Sequence, residues 1–525
     1  MRTSREAILG RSVRLAGLLA WVLTALALGV AQAADERAVA LTIYSSAEPG
    51  AVPPELYRPL PETPGYPGAY SGQQVPGFAL VRDERAFAVE GAKPTVRFTD
   101  VAARIDPTTV SFTSLGDPGT RVLEQSYQFD LVSSQKLLER YIDREITVDQ
   151  QRGDAVASTT GTLLSTVGGL VLKGADGGIQ VLNGYANLRF PELPGGLITR
   201  PTLVWLLSTE KPGAQRARVT YETDGIAWWA DYNLVFAEGE NANAGKLDVG
   251  AWVSILNQSG AGYDDARLKL MAGDVHRAPR PQGRVYAGKA MRAELAMADE
   301  SQGFTEKEFF EYHLYTLGRR TTLPDRSTKQ IELFPVARGV PCEKLLVYYG
   351  LGEQWRGFFP NPMTDRGFGS DANTKVDVYL RFKNAKETGL GIPFPRGRIR
   401  VSKLDTADQS LELVGEDTID HTAKDEKVLV KMGTAFDVVG ERKQVDFRID
   451  NDHDWMDEDI EIKLRNHKSE PVQVVVKENL FRWVNWQITQ KTHDFEKVDA
   501  RTVHFPVTVP KDGEAVIRYT VHYSW

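Results

Sequence analysis

The chain has 525 residues, 42% hydrophobic and 25% charged, and its 70 Asp and Glu outnumber 63 Lys and Arg for a formal net charge of −7. An acidic balance without a basic run excludes the electrostatic footprint of a nucleic-acid-binding protein. The single cysteine, Cys342, excludes an intramolecular disulfide, so apolar burial must hold the fold together.

Arg2, Arg5, Arg11 and Arg14 precede an apolar run over residues 15–30, and Ala31-Gln32-Ala33 follows it. Positive flank, apolar run and small-residue site form the order of a secretory signal peptide. The alternative is an uncleaved anchor, for which the run is short against the ~20 residues of a spanning helix. Cleavage after Ala33 removes four arginines and one glutamate and takes the formal charge from −7 to −10. No later stretch is long and apolar enough to cross a bilayer, so the expectation is a periplasmic or secreted protein with no transmembrane segment in the mature chain.

The region after the signal, 34–141, reads as a β-rich unit. VALTIY, residues 39–44, suggests its first strand, and eight prolines between residues 49 and 76 dictate an extended loop, because proline removes donors and breaks helices. Strand patterns resume in FALVRDERAFAV. A helix is expected in SSQKLLERY, where Ser133 or Ser134 can cap and Leu137, Leu138 and Tyr141 share a face. Short strands punctuated by Gly, Asp and Ser over 142–194 suit a small barrel or meander. Longer strands over 195–277 look like part of a β-sandwich, 278–305 reads as a linker or insertion with a short helix near Met291, and 306–525 returns to β-sandwich patterning. In the last strand Ile517, Tyr519, Val521, Tyr523 and Trp525 fall on one side. The fold class expected is therefore mainly β, multidomain, with β-sandwich domains and a small barrel-like insertion.

Motifs with chemical content are sparse. Gly283 to Lys289 matches phosphate-loop spacing, but Ala290 replaces the hydroxyl that would hold magnesium and no strand precedes it, which makes it a chance match. Ser133 and Lys136 have the spacing of a penicillin-interacting serine motif without its companion motifs. Asp450, Asp452, Asp454 and Glu461 stand at calcium-loop spacing, yet Trp455 occupies the position where the turn calls for glycine and the flanks are strands. The bland alternative is a solvated hairpin tip. His421 lies among Glu416, Asp417, Asp420, Asp425 and Glu426 with no nucleophile nearby, and a hydrogen-bonded loop competes with an acid-base role. Cys342 reads as a small buried hydrophobe.

GIAWWADYNLVF, residues 225–236, poses the sharpest question. Neighbouring side chains on a strand point to opposite faces. Trp228, in phase with Tyr232 and Phe236, is the core candidate, and Trp229, in phase with Asp231, is the contact candidate. Trp483 and Trp486 join them as candidate contact residues.

Four blocks, GIAWWADYNL, LDVGAWVSILNQSGAGYDDARLKLMAGDVHR, FFEYHLYTLGRRTTLPDRSTKQIEL and LRNHKSEPVQVVVKENLFRWVNW, resemble the bacterial family called domain of unknown function 4139, which includes mucoidy-inhibitor-like proteins. The resemblance covers about residues 130–525. It implies a predominantly β chain with an export signal and supplies no catalytic residues. Mucoidy-labelled members carry a coiled-coil insertion that this chain lacks. The leading expectation is a non-enzymatic envelope protein working through protein or glycan contacts, without a required cofactor. The alternatives are a metal-dependent hydrolase using the loops around His421 and Asp452, and a calcium-stabilised structural module.

Overall fold

The computed structural model describes residues 37–44, 52, 54–57, 75–152, 155–273, 275–276, 304–352, 357, 359–369 and 372–525. The signal segment, the Gly283 motif and the helix expected near Met291 lie outside the described residues. The described residues are mainly β, 64% strand and 3% helix, in several sheets of which none closes into a barrel.

An 8-stranded sheet interleaves the two ends of the N-terminal half. The strand Ala38–Tyr44 enters between Phe78–Val89, antiparallel to it, and Tyr263–Ala272, parallel to it. Gly213–Asp224 pairs Phe78–Val89 along twelve positions, and a 3-stranded sheet sets Thr202–Ser208 between Thr95–Thr99 and Arg121–Gln128. The regions expected as separate units over 34–141 and 195–277 thus share sheets and a core. That core includes Trp205, Tyr221, Trp228, Tyr263 and Tyr315, all buried.

Residues 142–194 hang from this body as an insertion. Their five strands form an open sheet instead of a closed barrel, with Asn187–Arg189 and Ile179–Leu182 at its two edges. The helix Ser134–Arg140 starts where the capping pattern put it, with Ser133 Oγ accepting from the Lys136 amide at 3.2 Å. It belongs to the insertion and not to the unit before it: Leu138 and Tyr141 pack on Ile146, Val148, Leu163 and Leu172.

A 13-stranded sheet carries the rest. Two of its strands, Ser327–Tyr349 with 23 residues and Lys427–Asp450 with 24, are long enough to serve two cores. Ile331, Leu333, Val340 and Cys342 face the first core, and Leu346 and Tyr348 face a second one; Val428 and Val430 are followed in the same way by Val438 and Phe447. On the second strand the register shift at Gly433 (φ +136) lies between the two sets, whereas on the first the shift at Gly339 (φ +66) lies within the stretch facing the first core, ahead of Val340 and Cys342. Burial pushes the Cys342 thiol up to about 11, which leaves it protonated and unreactive at neutral pH.

The second core is a sandwich with charges inside. Along Trp455–Asn466 every other residue is buried, and the series Met456, Glu458, Ile460, Ile462, Leu464 puts a carboxylate among hydrocarbons. Arg482, also fully buried, brings Nε to 3.2 Å from Glu458 Oε1. Its Nη1 donates to the carbonyls of Met363 (2.8 Å) and Asp365 (2.9 Å), and its Nη2 to that of Phe368 (2.8 Å). Arg442 donates to Glu478 Oε2 at 2.9 Å and to the Gly369 carbonyl at 3.2 Å, and Tyr519 donates to the same Glu478 oxygen. The two guanidinium groups fasten the 359–369 segment onto the sandwich. A buried charge left without its partner costs about 3–5 kcal/mol. Arg482→Met is therefore expected to lower the unfolding free energy by about that amount and to open 359–369 to limited proteolysis. Adding Glu458→Met should restore much of the stability but not the protection of that segment, both read by denaturation and by mapping the cuts.

The terminal strand Gly513–Ser524 lies between Trp455–Asn466 and Trp486–Lys491. Ile517, Tyr519, Val521 and Tyr523 are buried, as their alternation requires. At about 1.5–3 kcal/mol for each large apolar side chain, they rival the ~5–15 kcal/mol that keeps a domain folded. Deletion of residues 515–525 is expected to unfold the second sandwich, and an unchanged melting temperature would contradict this placement.

Candidate contact face on the large sheet

The strand Ile226–Glu238 has a double inheritance: one side chain parity serves the core and the other the outer face of the large sheet. Trp228, Tyr232 and Phe236 point into the first core. Burial raises the Tyr232 hydroxyl well above its ordinary range, and the hydroxyl donates to the Pro395 carbonyl at 2.7 Å. The other parity, Trp229, Asp231 and Asn233, lies on the outer face.

Trp229 is not the free contact residue expected of it. Only 9% of it is exposed, because Val52, Leu56, Tyr57 and Val75 from the two ends of the proline-rich stretch cover it. Tyr57 lies over the indole with ring centroids 5.5 Å apart, and Gln258 Nε2 donates to the Leu56 carbonyl at 2.8 Å to hold the cover. Apolar surface on a sheet face is removed from water by any segment of suitable shape, including one from far away in sequence.

Asp231 is buried, and its surroundings are polar. Ser254 Oγ donates to its Oδ2 at 2.8 Å and receives the Gln330 side-chain amide at 3.0 Å. Arg398 Nε and Arg400 Nη1 stand 3.8 and 4.0 Å from its Oδ1, and Arg400 Nε donates to Glu416 at 2.8 Å. The ladders place Arg398 directly across from Asp231 on one side and Trp252 on the other. Thr418 follows beyond Arg398, and Glu332 beyond Trp252. The result is a row across five strands, Thr418, Arg398, Asp231, Trp252 and Glu332, with Glu416, Arg400 and Asn233 in a parallel row one pleat along. Trp252 is 40% exposed in that row. Across the ladder from Asn233 stands Gly250, and the exposed Val336 side chain occupies the space above it, 3.3 Å from where a Cβ would lie.

Sequence reasoning found Asp231, set Glu416 in the loop around His421, and missed Trp252, Arg398 and Arg400. The signal for Trp252 was present: in LDVGAWVSIL it shares parity with Asp248, Gly250 and Ser254, against Leu247, Val249, Ala251 and Val253. GRIRVSKL likewise alternates Arg398 and Arg400 with Ile399 and Val401. What was missing was the pairing that brings these strands side by side.

The other candidates are placed elsewhere. Trp483 and Trp486 pack against the second core. Trp486 Nε1 donates to the Ala500 carbonyl at 2.8 Å, and Lys497 Nζ lies 4.6 Å from its ring centre. Asp450, Asp452 and Asp454 form the tip of a hairpin, as the bland reading held. Asp450 accepts from the amides of Asp452 and His453 and from the His453 ring (2.8 Å), which hold its carboxyl below the usual range. Glu461 is drawn away along the next strand to Arg518, at 2.7 Å. His421 Nδ1 accepts from the Arg396 amide at 3.0 Å, an interaction that fixes its loop. Among the described residues no three His, Cys, Asp or Glu side chains gather as metal ligands, and no helix is long and apolar enough to cross a membrane.

The two outer-face tryptophans should behave oppositely. Trp229→Ala is expected to cost about 3–5 kcal/mol of stability, as for a core aromatic, and Trp252→Ala no more than about 0.5, measured by chemical denaturation. In comparisons with known proteins the chain matches no family model, no curated protein and no solved structure.

Proposed function

We propose that the protein is an exported component of the cell envelope, periplasmic or secreted, that acts without catalysis through contacts made by the outer face of its large sheet. The observation that carries this reading is Trp252, a half-exposed indole set in a row with Arg398, Asp231 and Glu332 where its ladder to Ser327–Tyr349 shifts register. An exposed tryptophan ringed by polar groups is the arrangement favoured where a partner is bound, since the ring offers area at low entropic cost and the rim offers direction. The basic flank, apolar run and Ala31-Gln32-Ala33 site support export. We also propose membership of the domain of unknown function 4139 family. Two of the blocks that carry that resemblance, GIAWWADYNL and LDVGAWVSILN, supply Asp231 and Trp252 to this face.

A photo-crosslinking residue at position 252, expressed in the native envelope, is expected to yield a defined adduct that the same residue at Lys511, an exposed position in the turn before the terminal strand, does not. Equal labelling from the two positions, or none from position 252, would count against the face as the working surface.

A further inference from the structure

The composition of the face points to one class of partner. Resting on the contact-face reading above, we propose that the Trp252 row binds a neutral polysaccharide of hexose units, with a sugar ring seated on the indole.

Three features of the face support this. First, its charges balance. Arg398 and Arg400 are set among Asp231, Glu416 and Glu332, and the arginines already lie within ion-pair distance of Asp231 and Glu416. No cationic clamp is left for an acidic ligand, and the chain as a whole has an excess of Asp and Glu, 70 against 63 Lys and Arg, so its field repels polyanions. Second, the row alternates donors with acceptors. A sugar hydroxyl both gives and takes a hydrogen bond, and guanidinium, carboxylate and the side-chain amides of Asn233 and Gln330 offer both kinds within one pleated surface. Third, the face is long. Strands about 4.8 Å apart make the five-residue row about 19 Å from Thr418 to Glu332, room for several linked pyranose rings, with the C–H face of one ring on Trp252. A protein partner would be expected to meet a larger apolar core than one indole.

The same face already holds a ring on an indole: Tyr57 on Trp229, 5.5 Å between centroids. A covered tryptophan and a bare one stand on neighbouring strands, and Ser254, which faces Trp229 across the ladder, shares its strand with Trp252.

The test is migration of the full mature chain in native gels cast with soluble neutral polysaccharides (an α-glucan, a β-glucan, a mannan and a galactomannan) and, in parallel, with alginate. At least one neutral polysaccharide is expected to retard the protein. Trp252→Ala should weaken that association at least about tenfold, Trp252→Phe should weaken it less, and salt should leave it unchanged. Retardation by none of the neutral polysaccharides would overturn the proposal, as would retardation indifferent to Trp252→Ala or seen only with alginate and abolished by salt. Unchanged melting temperatures of both variants would tie the loss to the face and not to folding. If no gel retards the protein while position 252 crosslinks to an envelope protein, the polysaccharide assignment falls and the contact face stands. If neither occurs, both fall.

Discussion

Two strands, Ser327–Tyr349 and Lys427–Asp450, belong to two hydrophobic cores at once, and the rest of the architecture depends on that sharing. A strand that crosses from one core to another must keep its alternation in both while changing direction between them, because a slip of one residue would turn every buried side chain outward. On Lys427–Asp450 the shift at Gly433, a glycine with positive φ between Val430 and Val438, meets this demand, and Ser327–Tyr349 crosses from Cys342 to Leu346 in unbroken register with Lys375–Lys383. Contacts across such a junction are continuous backbone hydrogen bonds, far stiffer than a linker. The two sandwiches are joined by the sheet itself.

Stiffness of that kind explains why the outer face of the sheet can be specific. Asp231, Ser254, Gln330, Arg398 and Arg400 are tied together by hydrogen bonds and close charges on strands whose opposite faces fill the first core with Trp228, Tyr232, Leu247, Val249, Ile399 and Val401. Positions fixed from beneath need little ordering when something binds from above. The charged groups inside the second sandwich act differently. Arg442 and Arg482 turn inward, and the carbonyls of 363, 365, 368 and 369 are satisfied by them. Buried ions are costly on their own account, and here the cost is offset by fixing a segment that also sets Phe359 against Phe481.

What could be read in advance follows the range of the forces involved. Alternation along single strands was legible, as in the terminal strand, and so were the helix cap at Ser133 and the burial of Cys342, since each depends on residues within a turn or two. The open sheet of 142–194 was legible as short strands with frequent turns, but whether it closes depends on edge pairing that no local pattern encodes. Glu458 and Arg482 were invisible as core residues, because charge in a sequence reads as surface until its partner is known. Trp229 was assigned to the right face and the wrong environment: parity fixed its direction, and Leu56 and Tyr57, more than 170 positions earlier, determined what lies above it.

The fate of Trp229 also bears on Trp252. Both indoles are on the outer face of one sheet, Trp229 in an apolar cluster and Trp252 between two carboxylates. For Trp229 the chain supplies the cover from its own proline-rich stretch, whose restricted backbone loses little entropy on docking. For Trp252 the surroundings differ in one respect: Asp231 and Glu332 flank it in its own row, and a purely apolar cover would strip water from the exposed Glu332 carboxylate. Whatever seats on this indole must therefore bring hydroxyls or amides at its rim, and that requirement, more than exposure itself, narrows the chemistry of the partner.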